Sequence, residues 1–237
     1  MSDHIVSSFD ADLEKLRRSI TEMGGVAEKM LTEATTALVR RDTALAQSVV
    51  LADSRLDTLQ REIEEYAVLT IARRQPLAVD LREVISAIRI ASDIERIGDM
   101  AKNIGKRALA ISGQFQPQKI VLGVQNMSDL VLAQLKDVLD AYAQHDVNQA
   151  IDVWQRDGAI DALYTSLFRE LLTYMMEDPR NITFCTHLLF CAKNVERIGD
   201  HTTNIAETIH YLVTGQAIAA ERPKNDRTSY ETGADVN

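Results

Sequence analysis

Little in this 237-residue chain interrupts a helix. Four prolines, ten glycines and an aromatic content of 5 % exclude a turn-rich sandwich or barrel. Basic charge is also short: 26 Lys and Arg face 35 Asp and Glu, a formal net charge of −9. A basic face for a phosphate backbone is therefore not expected, and nucleic acid drops out as a partner. No apolar run approaches the roughly 20 residues that span a bilayer. The opening MSDHIVSSFDADLEK has no basic segment followed by an apolar core, so no signal peptide is expected. The chain reads as soluble and cytoplasmic. Its only cysteines, Cys185 and Cys191, fall in a helical pattern and read as reduced, buried hydrophobes rather than a thiolate site. There is no glycine-rich phosphate loop and no Gly-x-Ser-x-Gly. His4, His145, His187, His201 and His210 are scattered. The chain is therefore read as not an enzyme.

What is present is helical periodicity. Phe9, Leu13, Leu16, Ile20, Met23, Ala27, Met30, Ala34 and Ala37 step by four and three along one seam, with Gly24-Gly25 as a point where the rod softens or bends. Asp42 follows as an N-cap. Leu45, Val49, Ala52, Leu56, Leu59, Ile63, Tyr66 and Thr70 mark a second helix, which breaks at Pro76. A third carries two apolar lines: Leu81, Val84, Ile88, Ala91, and Ala87, Ile90, Ile94, Ile97, Ala101, Ile104. Two lines suit a helix packed against two neighbours. After SGQFQP the order begins again, with helices expected over about 118–144, about 147–176, and from EDPRN to Gly215, a helix stop. Trp154 and the methionines fall on seams and read as core.

The second half repeats the first. IERIGDMAKNI (94–104) returns as VERIGDHTTNI (195–205). Asp42, Asp53 and Asp57 align with Asp146, Asp157 and Asp161; Glu95, Asp99 and Asn103 align with Glu196, Asp200 and Asn204. The drifting offset places small insertions in loops, as duplicated bundles show. The expected fold is all-α: two tandem, internally duplicated three-helix bundles over 8–112 and 117–215. A polar tail over 216–237 is expected to be disordered.

Each half carries two carboxylate pairs at i, i+4, Asp53/Asp57 and Glu95/Asp99, then Asp157/Asp161 and Glu196/Asp200. Such pairs share a helix face one turn apart and repel mildly when solvated. Glu95 extends the line Leu81, Val84, Ile88, Ala91, which turns its pair toward a neighbouring helix. If the second and third helices of each bundle pack together, four carboxylates converge, and a hard cation would offset their repulsion. Oxygen-only ligands favour Mg²⁺, Ca²⁺, Mn²⁺ or iron. Arg96 and Arg197 are the competing explanation, since each could neutralise a carboxylate without metal. Gly98 and Gly199, just before Asp99 and Asp200, serve close helix approach, room for a metal cluster, or both.

IERIGDMAKNI, VERIGDHTTNIAE and QPLAVDLR, set in this duplicated layout over about residues 8–215, resemble the PhoU family of phosphate-uptake regulators. The resemblance implies a cytoplasmic negative regulator of the phosphate-starvation response. Its partners would be a phosphate ABC transporter, through the ATPase subunit, and a membrane sensor histidine kinase. It also implies metal on E(D)xxxD motifs, here Asp53, Asp57, Glu95, Asp99, Asp157, Asp161, Glu196 and Asp200. The cofactor is expected to be a divalent metal or iron, with Mg, Mn, Fe and Zn all open. A homodimer that meets the membrane only through protein partners fits the same picture. One departure is that EDPRNITFCTH in the second half lacks the Asp80-Leu81-Arg82 of the first.

Two rival readings remain. A ferritin-like di-iron enzyme needs a Glu-x-x-His from each of two helices, and only Glu207/His210 fits. A metal-free helical adaptor would use its acidic faces for docking. His201, beside Asp200 but about 100° round the helix, reads as a surface or interhelix residue.

Overall fold

The computed structural model describes residues 2–113, 118–220 and 222, with side chains from residue 9 in the first half and residue 120 in the second. The expected tail lies mostly outside these residues. Six long helices appear: α1 (Ser2–Arg40), α2 (Thr43–Arg74), α3 (Val79–Ile111), α4 (Gln118–Gln144), α5 (Val147–Glu177) and α6 (Ile182–Thr214). A 3-10 turn, Pro179–Asn181, precedes α6, and no strand occurs among the described residues.

The periodicity becomes burial almost position by position. Leu13, Leu16, Ile20, Met23, Ala27, Met30, Ala34 and Ala37 of α1 are all buried, as is the Ala87–Ile104 line of α3. The other α3 line is mixed, with Val84 and Ala91 buried but Leu81 exposed. Cys185, Cys191 and Trp154 are buried. Burial pushes the Cys191 thiol up to about 12, so it stays protonated and inert. Met176 departs from the core reading at 85 % exposure, because the last turn of α5 runs on toward the Asp178 cap at the end of the bundle. Nor do Gly24 and Gly25 interrupt α1, which runs unbroken. A Cβ on Gly24 would sit 2.6 Å from Leu139 Cδ1, so this glycine lets α1 approach α4.

The turns record the duplication. Asp42 caps α2 by accepting from Leu45 N, and Asp146 caps α5 by accepting from Asn148 N and Gln149 N. Before each cap stands a left-handed residue, Arg41 (φ 57) and His145 (φ 54). The third-helix entries differ. In the first half the DLR segment opens α3, and Arg82 reaches across to Leu212 O near the end of α6, where a cation complements orphan carbonyls.

Helix α3 packs against α1 and α2, and α6 against α4 and α5, giving the two bundles. The bundles also join, α3 along α6 and α1 along α4. The buried apolar residues form one cluster from Leu13 to Leu212. Between α1 and α4, Thr35 Oγ1 donates to Ser128 Oγ at 2.9 Å, which satisfies two buried hydroxyls.

Candidate functional site

In the first half α2 presents Asp53 and Asp57, and α3 presents Glu95 and Asp99, on faces brought together by Gly98. A Cβ on Gly98 would collide with Leu56 of α2, so its absence sets the helix spacing. The space opposite this glycine belongs to a leucine rather than to a cluster of ions. Between Asp53 and Asp99 sits Lys102, one turn along α3. Its Nζ donates to Asp53 Oδ2 at 2.5 Å and to Asp99 Oδ1 at 2.6 Å. Burial would lower this ammonium, but the bonds and charge of the two aspartates outweigh it and hold lysine above its usual range. Burial raises the Glu95 carboxyl and Asp99 adds to that, while Arg96, 3.6 Å away, opposes and Asp57 and Asp53 reinforce. The three aspartates thus all act on Glu95.

The second half repeats the frame with different cations. Gly199 faces Ile160 of α5, whose Cδ1 would lie 2.9 Å from an added Cβ. Asp157, Asp161 and Glu196 are exposed by only 2 %, 5 % and 5 %, so this cluster is the more deeply set. Lys193 Nζ donates to Glu196 Oε1 at 2.8 Å, but Glu196 Oε2 is buried with no hydrogen-bond partner. Burial pushes the Glu196 carboxyl up; Lys193 pulls against it, and Asp200 and Asp161 add to the rise. Where the first half has Lys102, the second has Thr203, whose hydroxyl donates to Asp157 Oδ1 at 3.1 Å. The missing charge comes from Arg222, beyond α6. Its Nε donates to Asp157 Oδ2 at 2.9 Å, and its Nη2 donates to Asp157 Oδ1 at 3.2 Å and Asp200 Oδ1 at 2.7 Å. Its Nη1 lies 3.4 Å from Asn204 Oδ1.

Among the described residues, no group of three or more His, Cys, Asp or Glu is arranged to hold a metal ion. Asp53 and Asp99 turn toward Lys102, Asp157 and Asp200 toward Arg222, and Glu196 toward Lys193. The donor chemistry nevertheless fits a hard divalent cation: oxygens only, partly desolvated, with the Glu196 oxygen unused. Arg96 contributes weakly and Arg197 is exposed, so the main neutralising cations are Lys102, Lys193 and Arg222. The spacing of Lys102 after Asp99 and of Lys193 before Glu196, three residues each, was the available signal for two of them. Arg222 had none, since it reaches the cluster from a polar tail.

The histidines serve the frame. His201 Nδ1 donates to Asp93 Oδ1 at 2.8 Å across the α3–α6 seam, and Asn204 Nδ2 joins the same oxygen at 3.3 Å. Glu207 accepts from Trp154 Nε1 at 3.0 Å, and His210 Nδ1 donates to Gln216 O at 2.9 Å. The lone Glu-x-x-His is thus engaged in packing and in closing a turn.

The PhoU domain model matches twice, over residues 20–108 and 124–209, each match spanning one copy of the carboxylate frame. The phosphate-specific transport system accessory protein PhoU homolog of Rhizobium meliloti is 58 % identical over 226 residues, covering 95 % of each chain. That of Caulobacter vibrioides is 53 % identical over 226 residues, covering 95 % of this chain and 98 % of its own. The crystal structure of PhoU from Pseudomonas aeruginosa superposes with a TM-score of 0.85 at 39 % identity, covering 88 % of this chain and all of that one. With two family domains, relatives matched nearly end to end and a solved PhoU structure of similar fold, this chain belongs to the PhoU family.

Proposed function

We propose that the chain is a negative regulator of phosphate uptake and of the phosphate-starvation response. It would work in the cytoplasm, as a homodimer, by contacting the ATPase subunit of a phosphate ABC transporter and a membrane sensor histidine kinase. The observation that carries this is the near full-length likeness to relatives named as phosphate-specific transport system accessory proteins. No described helix is long and apolar enough to cross a membrane, so its own helices offer no span and contact with a transporter would run through protein surfaces.

The same reading gives the carboxylate clusters a divalent metal or iron. Asp53, Asp57, Glu95 and Asp99 would hold one site, and Asp157, Asp161, Glu196 and Asp200 the other. A bound ion would supply charge neutralisation and a cross-link between α2 and α3 or between α5 and α6. This chain's own residues supply the oxygens, the glycine-set helix spacing, and the competing cations Lys102 and Arg222. Nothing in the clusters is organised as a nucleophile with its base, and the role is regulatory.

Deleting the gene is expected to switch on phosphate-starvation genes in phosphate-replete cells. A reporter that stays silent in the deletion strain refutes the regulatory reading.

A further inference from the structure

We propose that the segment after α6 is a self-supplied cation for the second carboxylate cluster, so that Arg222 and a divalent metal ion compete for Asp157 and Asp200. The proposal rests on the metal reading above and adds a device that the first cluster lacks.

The asymmetry between the halves carries it. Both clusters place a cation between the equivalent aspartates, but the first draws it from its own helix, Lys102. The second has Thr203 at that position and receives Arg222 from outside the bundle. A lysine one turn from Asp99 can only change rotamer. An arginine on a segment that begins at Gly215 can leave altogether.

The segment is built to return. Gly215 adopts φ 74 and its N–H closes α6 on Tyr211 O at 2.9 Å. Gln216 N donates to Thr214 Oγ1 at 3.1 Å, and Gln216 O accepts from His210. Ile218 packs against the core. Ala217 and Ile218 help wall a cleft of about 510 Å³ with Arg89, Asn204, Glu207 and Tyr211. Residues 215–218 are therefore pinned at a few points beside this cleft. At the far end of the segment the Arg222 side chain is 16 % exposed.

The cluster has reason to exchange this guest. Arg222 engages Asp157 and Asp200, yet Glu196 Oε2 stays buried without a partner. A guanidinium brings one charge and a planar fork. A divalent ion brings two charges and takes six or more oxygens, enough to include that unused one. The ion would bind only the fraction of molecules whose segment has lifted, and this weakens its apparent affinity by that fraction.

The test is Mn²⁺ titration of full-length protein by calorimetry, with hydrogen exchange followed over 216–222. Asp99→Asn isolates the second cluster and Asp200→Asn the first. In the Asp99→Asn background, Arg222→Gln is expected to tighten Mn²⁺ binding by about tenfold. In the Asp200→Asn background it is expected to change nothing. Mn²⁺ should speed exchange of 216–222 in protein that keeps Arg222. Equal second-cluster affinity with Arg or Gln at 222, or Mn²⁺ binding there without faster exchange, overturns the proposal and leaves the metal reading standing. Binding at neither cluster in any variant overturns both.

Discussion

At the scale of single residues, the molecule sets unfavourable burial against charge. Glu196 lies almost wholly out of water with one oxygen unsatisfied, and a buried unsatisfied polar group costs roughly 1–3 kcal/mol. Its carboxyl is raised by burial and acidic neighbours despite Lys193, so the folded protein holds that proton above the pH at which the unfolded chain releases it. The sign follows from linkage: where the native state binds more protons, stability falls as pH rises. That loss begins at the ordinary glutamate value and is complete above the raised one. In chelator-treated protein, Glu196→Gln is therefore expected to melt higher than wild type at about pH 7, with the gap closing toward about pH 4. Melting curves at both pH values check it; an unchanged or lower melting temperature at the higher pH contradicts it. The glycines give a second contrast. Gly25 has nothing near its missing Cβ, whereas Gly98 would drive a methyl into the fully buried Leu56. Gly25→Ala should stabilise by about 0.5–1 kcal/mol through helix propensity. Gly98→Ala should destabilise by roughly 1–3 kcal/mol through overpacking. Urea denaturation of both variants decides, and like signs would mean that helix spacing is not what Gly98 sets.

At the scale of elements, caps and turns decide where each helix begins. Asp42 and Asp146 occupy equivalent positions with nearly equal backbone angles, φ −83 and ψ 97 or 99. Asp42 receives one backbone N–H and Asp146 two. Replacing either by alanine is expected to cost about 0.5–2 kcal/mol, with Asp146→Ala the larger loss. Denaturant midpoints of the two variants test that order. The third helices are less alike. Helix α3 follows a residue at φ 49, Ala78, without a side-chain cap, while α6 follows a 3-10 turn headed by Asp178. This junction is where the repeat offset drifts, and where Arg82 adds a contact to the end of α6.

At the scale of the whole molecule, the two bundles share one core along α3–α6 and α1–α4. The seam also carries the Asp93 carboxylate with His201 and Asn204. Each bundle therefore covers apolar surface of the other, and a single cooperative thermal transition is expected rather than two. Calorimetry on the full chain checks this; two separated heat peaks would show that the halves unfold independently. The net charge of −9 predicts that the protein does not bind protein-free anionic liposomes, since both surfaces are negative. Co-sedimentation with such vesicles would contradict an approach to the membrane through protein partners alone.

Much of this was present in the order of residues. Helix spans follow from a 3.6-residue apolar period and from breaks at Pro76, Pro179 and Gly215, all of which act within a few neighbours along the chain. The duplication follows from repeated words, and the eight acidic positions follow from it, because pairing at i, i+4 is a property of one helix. What lay outside that reach depends on residues far apart in sequence. The use of Gly98 and Gly199 to seat Leu56 and Ile160 required knowing which helices touch. The merging of two bundles into one core required knowing that α3 packs along α6 and α1 along α4. The cation in the second cluster was the least legible. Thr203 in place of Lys102 leaves a deficit of one charge at a pair of aspartates, Asp157 buried and Asp200 partly so. An arginine from beyond α6 settles it because a charge taken out of water must find a counter-charge, wherever in the chain that lies.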